Sequence, residues 1–301
     1  MGDTTAGLRR KIDSAGELQS VVRTMKALAA SSIGQYEQSV RALGDYYRTV
    51  ELGLSVCFRK SAPAAAMAAR KGHANTPTVG AIVFGSDQGL VGRFNDVVAD
   101  FAVTRLAATL PGKTQFWAVG ERVYGRLSDA GLLPVGCFTV PKSAAAIARL
   151  VGQILVETEA LHDHGEVSEL HLFYNRAISG AAFESVSQRL LPLDDTWRCN
   201  LAELPWPTKK LPEIFGDQSD NAASLRALIR EYLFVSLFRA CAESLASENA
   251  SRLAAMQRAE KNIDELLQTL NGGFHRLRQS SIDEELFDVI SGVEALNKAK
   301  K

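Results

Sequence analysis

Apolar side chains recur along the opening stretch of the chain in alternating steps of four and three. Leu8, Ile12, Ala15, Gln19, Val22, Lys26, Ala29, Ile33, Tyr36, Val40, Leu43, Tyr47, Val50 and Leu54 mark the series, and only Gln19 and Lys26 in it are polar. A repeat of roughly 3.5 residues sustained this long predicts one long helix with a coiled-coil seam rather than an ordinary surface helix. It runs from about Asp3 to Arg59, about 85 Å at 1.5 Å per residue. Small seam residues, Ala15 and Ala29, let a partner helix approach closely.

The pattern then changes. Ser61–Pro77 is an alanine-rich spacer ending in Lys71, Gly72 and Pro77, and it reads as a loop in which AlaAlaAlaMetAlaAla forms at most a helical turn. Short apolar runs at Val79–Phe84, Thr114–Val119, Glu169–Asn175 and Phe183–Leu191 predict strands, with a further extended piece in Gly131–Val140. Arg93–Leu110, Glu121–Ala130 and Ser143–His162 predict helices. Strands alternating with helices imply a largely parallel sheet. Pro205, Pro207 and Pro212 then mark a linker.

The last zone, about Asn221–Ala299, lacks proline and is again helical. Ile263, Leu267, Leu270, Phe274 and Leu277 keep the four–three step. Ile282, Leu286, Val289, Val293 and Leu296 keep it displaced by one residue. Between Cys241 and Asn262 the bulky apolar residues thin out to Leu245, Leu253 and Met256. As one helix the zone extends about 110 Å, with a soft point expected at Gly272–Gly273, each glycine costing roughly 1 kcal/mol relative to alanine. The expected fold is α/β: a long antiparallel coiled coil of N- and C-terminal helices plus a central Rossmann-like α/β domain to one side. The expected parts are residues 1–60, 78–200 and 221–299.

Composition narrows the function. Lys and Arg together number 34, as do Asp and Glu, so the formal net charge is +0, which gives no support to nucleic-acid binding or a polybasic membrane anchor. No apolar run approaches the ~18 residues of a membrane span, and the polar N-terminus reads as neither a signal nor a transit peptide. Cys57, Cys137, Cys199 and Cys241 are scattered without a CxxC pair, as expected of reduced thiols rather than a disulfide framework or zinc site.

Candidate chemistry is sparse. GlySerAspGlnGlyLeuValGly (85–92) follows a strand and precedes a helix, where a phosphate loop would sit, but it matches neither GxGxxG nor GxxxxGK[ST]. The plainer reading is a tight turn at a subunit contact. His162, Asp163 and His164 read as a solvated helix end rather than a metal site. No nucleophile elbow or Cys–His pairing is present, and Glu284 and Glu285 project in different directions. No catalytic residue, cofactor or metal is expected. The seams by themselves fit an ordinary helical hairpin equally well, since heptads report packing and not purpose.

Several segments resemble the gamma subunits of F-type ATP synthases. LeuArgArgLysIle (8–12) and ArgThrMetLysAlaLeuAlaAla (23–30) are similar to that family's opening helix. Ser86, Asp87, Gly89, Leu90, Gly92 and Asn95 resemble its SDxGLxGxxN loop, and TyrAsnArg (174–176) and LeuLeuPro (190–192) the end of its α/β domain. GluSerLeuAlaSerGlu (243–248), Arg252, AlaMet (255–256), Asn262, ArgGln (278–279), Ile282, Glu285, Gly292 and AlaLeu (295–296) stand in the family's order and spacing. The resemblance covers nearly the whole chain, and the C-terminal signature is its most specific part. Departures are Gln88 for a usual basic residue, Val91 for a common cysteine, Arg93 for a common glycine, Glu260 and Asp283 for usual threonines, and His275 for a usual asparagine. They suggest a divergent branch, such as an alternate bacterial F-type ATPase.

The resemblance implies a mechanical role. One copy would form the central rotor shaft inside a hexamer of alternating alpha and beta subunits, standing on the c-ring beside epsilon. It would couple ion-driven c-ring rotation to ATP synthesis or hydrolysis on beta. It would lie on the cytoplasmic face of the bacterial inner membrane, touching the membrane only through the ion-conducting sector. Subunit contacts are implied at Met25 and Arg252 near the beta lever loops, at Lys26, at Asp87, Gln88 and Arg93 in the glycine loop, and at Gln279, Asp283 and Glu285 in the upper contact with alpha and beta. The C-terminal stretch Leu286–Leu296 would sit in an apolar collar. Two alternatives are a nucleotide-binding α/β enzyme dimerised by its terminal helices, and a coiled-coil scaffold for unrelated partners.

Overall fold

The computed structural model describes residues 4–60, 78–109, 114–163, 167–180, 182–208 and 218–298. The Ser61–Pro77 spacer, Pro212 and His164 lie outside them. In chain order the elements are α1 (Thr5–Lys60), β1 (Val79–Phe84), α2 (Phe94–Thr109), β2 (Thr114–Val119), α3 (Glu121–Asp129), β3 (Gly136–Phe138), α4 (Ala144–Asp163), β4 (Glu169–Ser179), β5 (Ala182–Leu191), α5 (Asp195–Ala202) and α6 (Gln218–Lys298). The chain divides into two compact units, one of Met1–Leu28 with Leu253–Lys301 and one of Ala29–Arg252.

The predicted α1 seam is the buried side of the helix. Leu8, Ala15, Ala29, Tyr36, Val50 and Leu54 are buried, and every other seam position is half-buried. Off-seam Leu18, Val21 and Leu28 are exposed. In the first unit α1 and α6 pair antiparallel. A Cβ at Gly273 would lie 4.0 Å from Leu8 Cδ1, the Gln19 amide donates to Asp264 Oδ1, and Lys26 Nζ donates to Glu260 Oε2 at 2.5 Å. Arg23 Nε donates to the other oxygen of Glu260 at 3.0 Å. The two polar seam positions, Gln19 and Lys26, thus meet acidic partners across the pair.

Helix α6 continues unbroken through Gly272–Gly273, where a soft point was expected. Ile263, Leu267, Leu270, Phe274 and Leu277 are half-buried along the pairing. The second series is not a seam in this structure: Ile282, Leu286, Val289 and Val293 are all at least half exposed. The reason is geometric. Helix α1 begins at Thr5, and Leu8 is level with Gly273, so α6 outruns its partner.

In the second unit a five-stranded sheet has the order β3-β2-β1-β4-β5. The first four strands are parallel, and β5 returns antiparallel on β4. Side chains alternate between its two faces, as strand geometry requires. Val79, Ala81, Val83, Phe116, Ala118 and Phe173 face a layer formed by α2 and α3. Ile82, Phe84, Trp117, Val119, Leu172 and Tyr174 face the other layer. That layer is α4 (Ile147, Val151, Ile154), α1 (Tyr36, Val50, Leu54) and α6 (Leu233, Leu237, Leu245). Strand β1 is central and covered on both sides, so all six of its residues are buried, which is why it reads as an uninterrupted apolar run. Here too α1 and α6 are antiparallel: Tyr46 Oη donates to Glu231 Oε2 at 2.6 Å, and a Cβ at Gly53 would lie 3.1 Å from Leu228 Cδ2.

Helix α5 is an addition to the expected elements. Asp194 caps it, accepting from Thr196 N at 3.4 Å, and its Trp197 packs on Tyr232 with ring centroids 4.7 Å apart. The signal was present as two aspartates after a proline, an N-cap followed by a first-turn acid.

Two outcomes are expected of the first unit. Ile263→Asp puts a carboxylate on the seam and should cost on the order of 2 kcal/mol, read as a lower denaturation midpoint; an unchanged midpoint contradicts the pairing. Hydrogen bonds from Lys26, then Arg23, hold the Glu260 carboxyl below its ordinary value. A depressed acid adds stability above its unfolded pKa and loses it as pH falls through the folded one. The melting temperature should therefore drop on acidification through that window, less so in Glu260→Gln and in high salt.

Candidate coupling surface

The glycine loop after β1 is built around its own polar side chains. Ser86 N donates to Asn95 Oδ1 at 2.9 Å, Asn95 Nδ2 donates to Ser86 Oγ at 2.9 Å, and Ser86 Oγ donates to the Gln88 carbonyl at 2.9 Å. Gly85 is required by space, since a Cβ there would meet Val123 Cβ at 2.4 Å and Asn95 Oδ1 at 2.7 Å. Gly120, with φ 116°, lets the turn before α3 press against the Ser86 backbone, 2.7 Å from where a Cβ would stand.

Asp87 ties this loop to two others. Its Oδ1 accepts from Glu121 N at 3.1 Å, and its Oδ2 accepts from Val140 N at 3.0 Å. Glu121 opens α3, so the carboxylate caps the N-terminus of that helix. Gln88 and Arg93 stand exposed on the same loop. Leu90 is 60 % exposed and adopts φ 62°, a left-handed conformation rare for a bulky side chain.

On α6, Arg252 Nη2 donates to Glu248 Oε1 at 2.6 Å. Both side chains are largely withdrawn from solvent, 11 % and 6 % exposed. Burial pushes the Glu248 carboxyl up, Arg252 opposes that shift, and the charge of Asp87 adds to it. Tyr36 on α1 is likewise raised, by burial first and by Glu248 next. The buried Glu248–Arg252 pair on α6 is therefore coupled electrostatically to Tyr36 on α1 and to Asp87 on the glycine loop. Ser244, Ser247 and Ser251 lie on the same stretch of α6, buried, and their hydroxyls have no hydrogen-bond partner among the described residues.

Of the residues singled out from sequence, Asp87, Gln88, Arg93 and Arg252 belong to the second unit, where Arg252 is bonded to Glu248. Met25 and Lys26 lie in the paired stretch of the first unit, half-buried, with Lys26 engaged by Glu260. Gln279, Asp283 and Glu285 are exposed on the part of α6 that outruns α1. Sequence reading missed Glu248 as a site residue, although an acid four residues before Arg252 in a stretch of small residues was a usable signal. Among the described residues no three His, Cys, Asp or Glu side chains gather as a metal site would require, and the four cysteines form no disulfide.

Comparison with known proteins agrees along the length of the chain. The ATP synthase family profile matches residues 4–296. An ATP synthase gamma chain of Clavibacter sepedonicus is 27% identical over 100% of both chains. One of Sinorhizobium fredii is 28% identical, covering 96% of this chain and 98% of its own. Among solved structures, a chain of the Euglena gracilis mitochondrial ATP synthase rotor superposes with a TM-score of 0.64 at 16% identity, over 94% of this chain and 100% of that one. A chain of the Tetrahymena thermophila mitochondrial ATP synthase central stalk and c-ring superposes at 0.53 and 19% identity, over 79% and 99%. At those identities the structural likeness speaks for the fold, and the profile match carries the family: this chain belongs to the ATP synthase gamma-chain family.

Proposed function

We propose that the chain is the central rotor shaft of an F-type ATP synthase or ATPase, a single-copy, non-catalytic subunit. It turns with the c-ring and drives the beta subunits of an alpha–beta hexamer through their catalytic states. The observation that carries this reading is the family match over nearly the whole chain. The architecture suits the task. Torque needs two helices locked by a packed seam, and a rotating element needs a surface without a permanent hold on any one partner. The exposed apolar stretch Ile282, Leu286, Phe287, Val289, Ile290 and Val293 offers non-directional contact of the kind an apolar collar tolerates.

In this reading the three parts 1–60, 78–200 and 221–299 are the two shaft helices and a foot. The foot and the neighbouring coiled coil stand on the c-ring beside epsilon. Met25 and Arg252 each serve a contact near the beta lever loops, Lys26 a further subunit contact, and Gln88 and Arg93 a subunit contact at the glycine loop, with Asp87 holding that loop in shape. Gln279, Asp283 and Glu285 serve the upper contact. No described helix is long and apolar enough to cross a membrane, in keeping with a peripheral subunit at the cytoplasmic face of a bacterial inner membrane.

Co-expression with the matching alpha and beta subunits should give a hexamer carrying one copy of this chain and sustained ATP hydrolysis. A chain that stays apart and binds nucleotide alone would refute the proposal. Arg252→Ala and Gln279→Ala should each lower ATP-driven ion pumping more than the melting temperature of the complex. Unchanged pumping in both would remove these residues from the coupling surface.

A further inference from the structure

Arg252 is held from within its own helix by a side chain that is itself buried. Glu248 Oε1 accepts from the Arg252 guanidinium at 2.6 Å, while Glu248 Oε2 and Arg252 Nε are buried with no hydrogen-bond partner among the described residues. A buried ion pair with half its hydrogen-bonding capacity unused is poorly compensated for the loss of water. Its surroundings on α6 are small and polar. Ser244, Ser247 and Ser251 stand four before, one before and three after Glu248. Ser244 and Ser251 share its helix face, and all three hydroxyls are buried with no hydrogen-bond partner among the described residues.

The ionisable groups coupled by charge to Glu248 come from three elements. They are Tyr36 on α1, Asp87 on the loop after β1, and Cys241 and Arg252 on α6 itself. Arg252 is the one cation among them. When Glu248 is ionised, its charge pulls the guanidinium onto α6. When Glu248 carries a proton, that pull falls to an ordinary hydrogen bond, and the guanidinium keeps its full charge for an anionic group outside.

We propose that Glu248 is a positioning residue for Arg252: ionised, it holds the guanidinium against α6, and protonated from solvent it releases Arg252 toward an acidic surface of a neighbouring subunit. The proposal rests on the reading of Arg252 as a coupling contact. The two protonation states are accessible because burial and the Asp87 charge raise the Glu248 carboxyl above its ordinary value. The ion pair is thus complete at higher pH and loses its charge as pH falls through the raised value.

The test is ATP hydrolysis by the assembled alpha–beta–gamma complex, from mildly acid to mildly alkaline pH, each variant expressed as a ratio to wild type. Glu248→Gln mimics the protonated acid, so its ratio should be near unity at the acid end and depart steadily as pH rises. In an Arg252→Ala background the same substitution should change nothing at any pH. A Glu248→Gln ratio that is constant across pH, or an effect that persists without Arg252, would mean that Glu248 only packs the helix, and would overturn the proposal. Arg252→Ala indistinguishable from wild type throughout would instead show that the coupling contact itself is misassigned, and the latch falls with it. Should Glu248→Gln not assemble, Asp87→Asn removes the negative charge coupled to Glu248 while keeping one of the two backbone hydrogen bonds that the carboxylate accepts. It should move the pH response of the complex to lower pH, and an unmoved response overturns the proposal as well.

Discussion

Two helical seams at opposite ends of the sequence have no way to bury themselves except against each other, and every other feature follows from that closure. In each of the two units α1 and α6 run antiparallel, and in each the α1 positions that recur in steps of four and three are the buried ones. The sheet is fitted to this arrangement. One of its faces is covered by α2 and α3, and the other uses α1 and α6 as part of its own covering layer. The α/β domain is therefore not an insertion hanging from a hairpin: Tyr36, Leu54, Leu237 and Leu245 belong at once to the helix pair and to the core of the sheet.

Most of this was legible because hydrophobic period reports burial directly. The seam from Leu8 to Leu54, the strand at Val79–Phe84 and the alternation of strands and helices needed only one layer of inference. What the pattern could not supply was where a partner ends. Ile282, Leu286, Val289 and Val293 carry the same period as a buried seam, yet they are exposed because α1 begins at Thr5 and reaches only as far as Gly273. Periodicity states that a face is apolar, and length matching between two distant segments decides whether that face is covered within the chain.

Polar residues were the harder part, for the same reason. Gln19 and Lys26 looked like faults in a seam until Asp264 and Glu260 met them across it. Asp87 belongs to a motif that resembles a subunit contact, and its carboxylate also ties its loop to Glu121 and Val140 of the same domain. Glu248 stands in the C-terminal signature but not among the expected contact residues, because burial of an acid is set by tertiary packing and not by its immediate neighbours in sequence. The small-residue stretch around it, Ala242, Ala246, Ser247 and Ala250, brings α6 close to its neighbours and so removes water from a charged pair.

The central claim is that this chain rotates. It is tested most directly by fixing the beta subunits of the assembled complex to a surface and attaching a probe to the exposed Cys137 of the α/β domain, with Cys199→Ser to make the attachment unique. The probe is then followed while ATP is supplied. Sustained stepwise rotation in one direction, stopping when ATP is withdrawn, is the result this account predicts. A probe that only fluctuates while the same complexes hydrolyse ATP would contradict it.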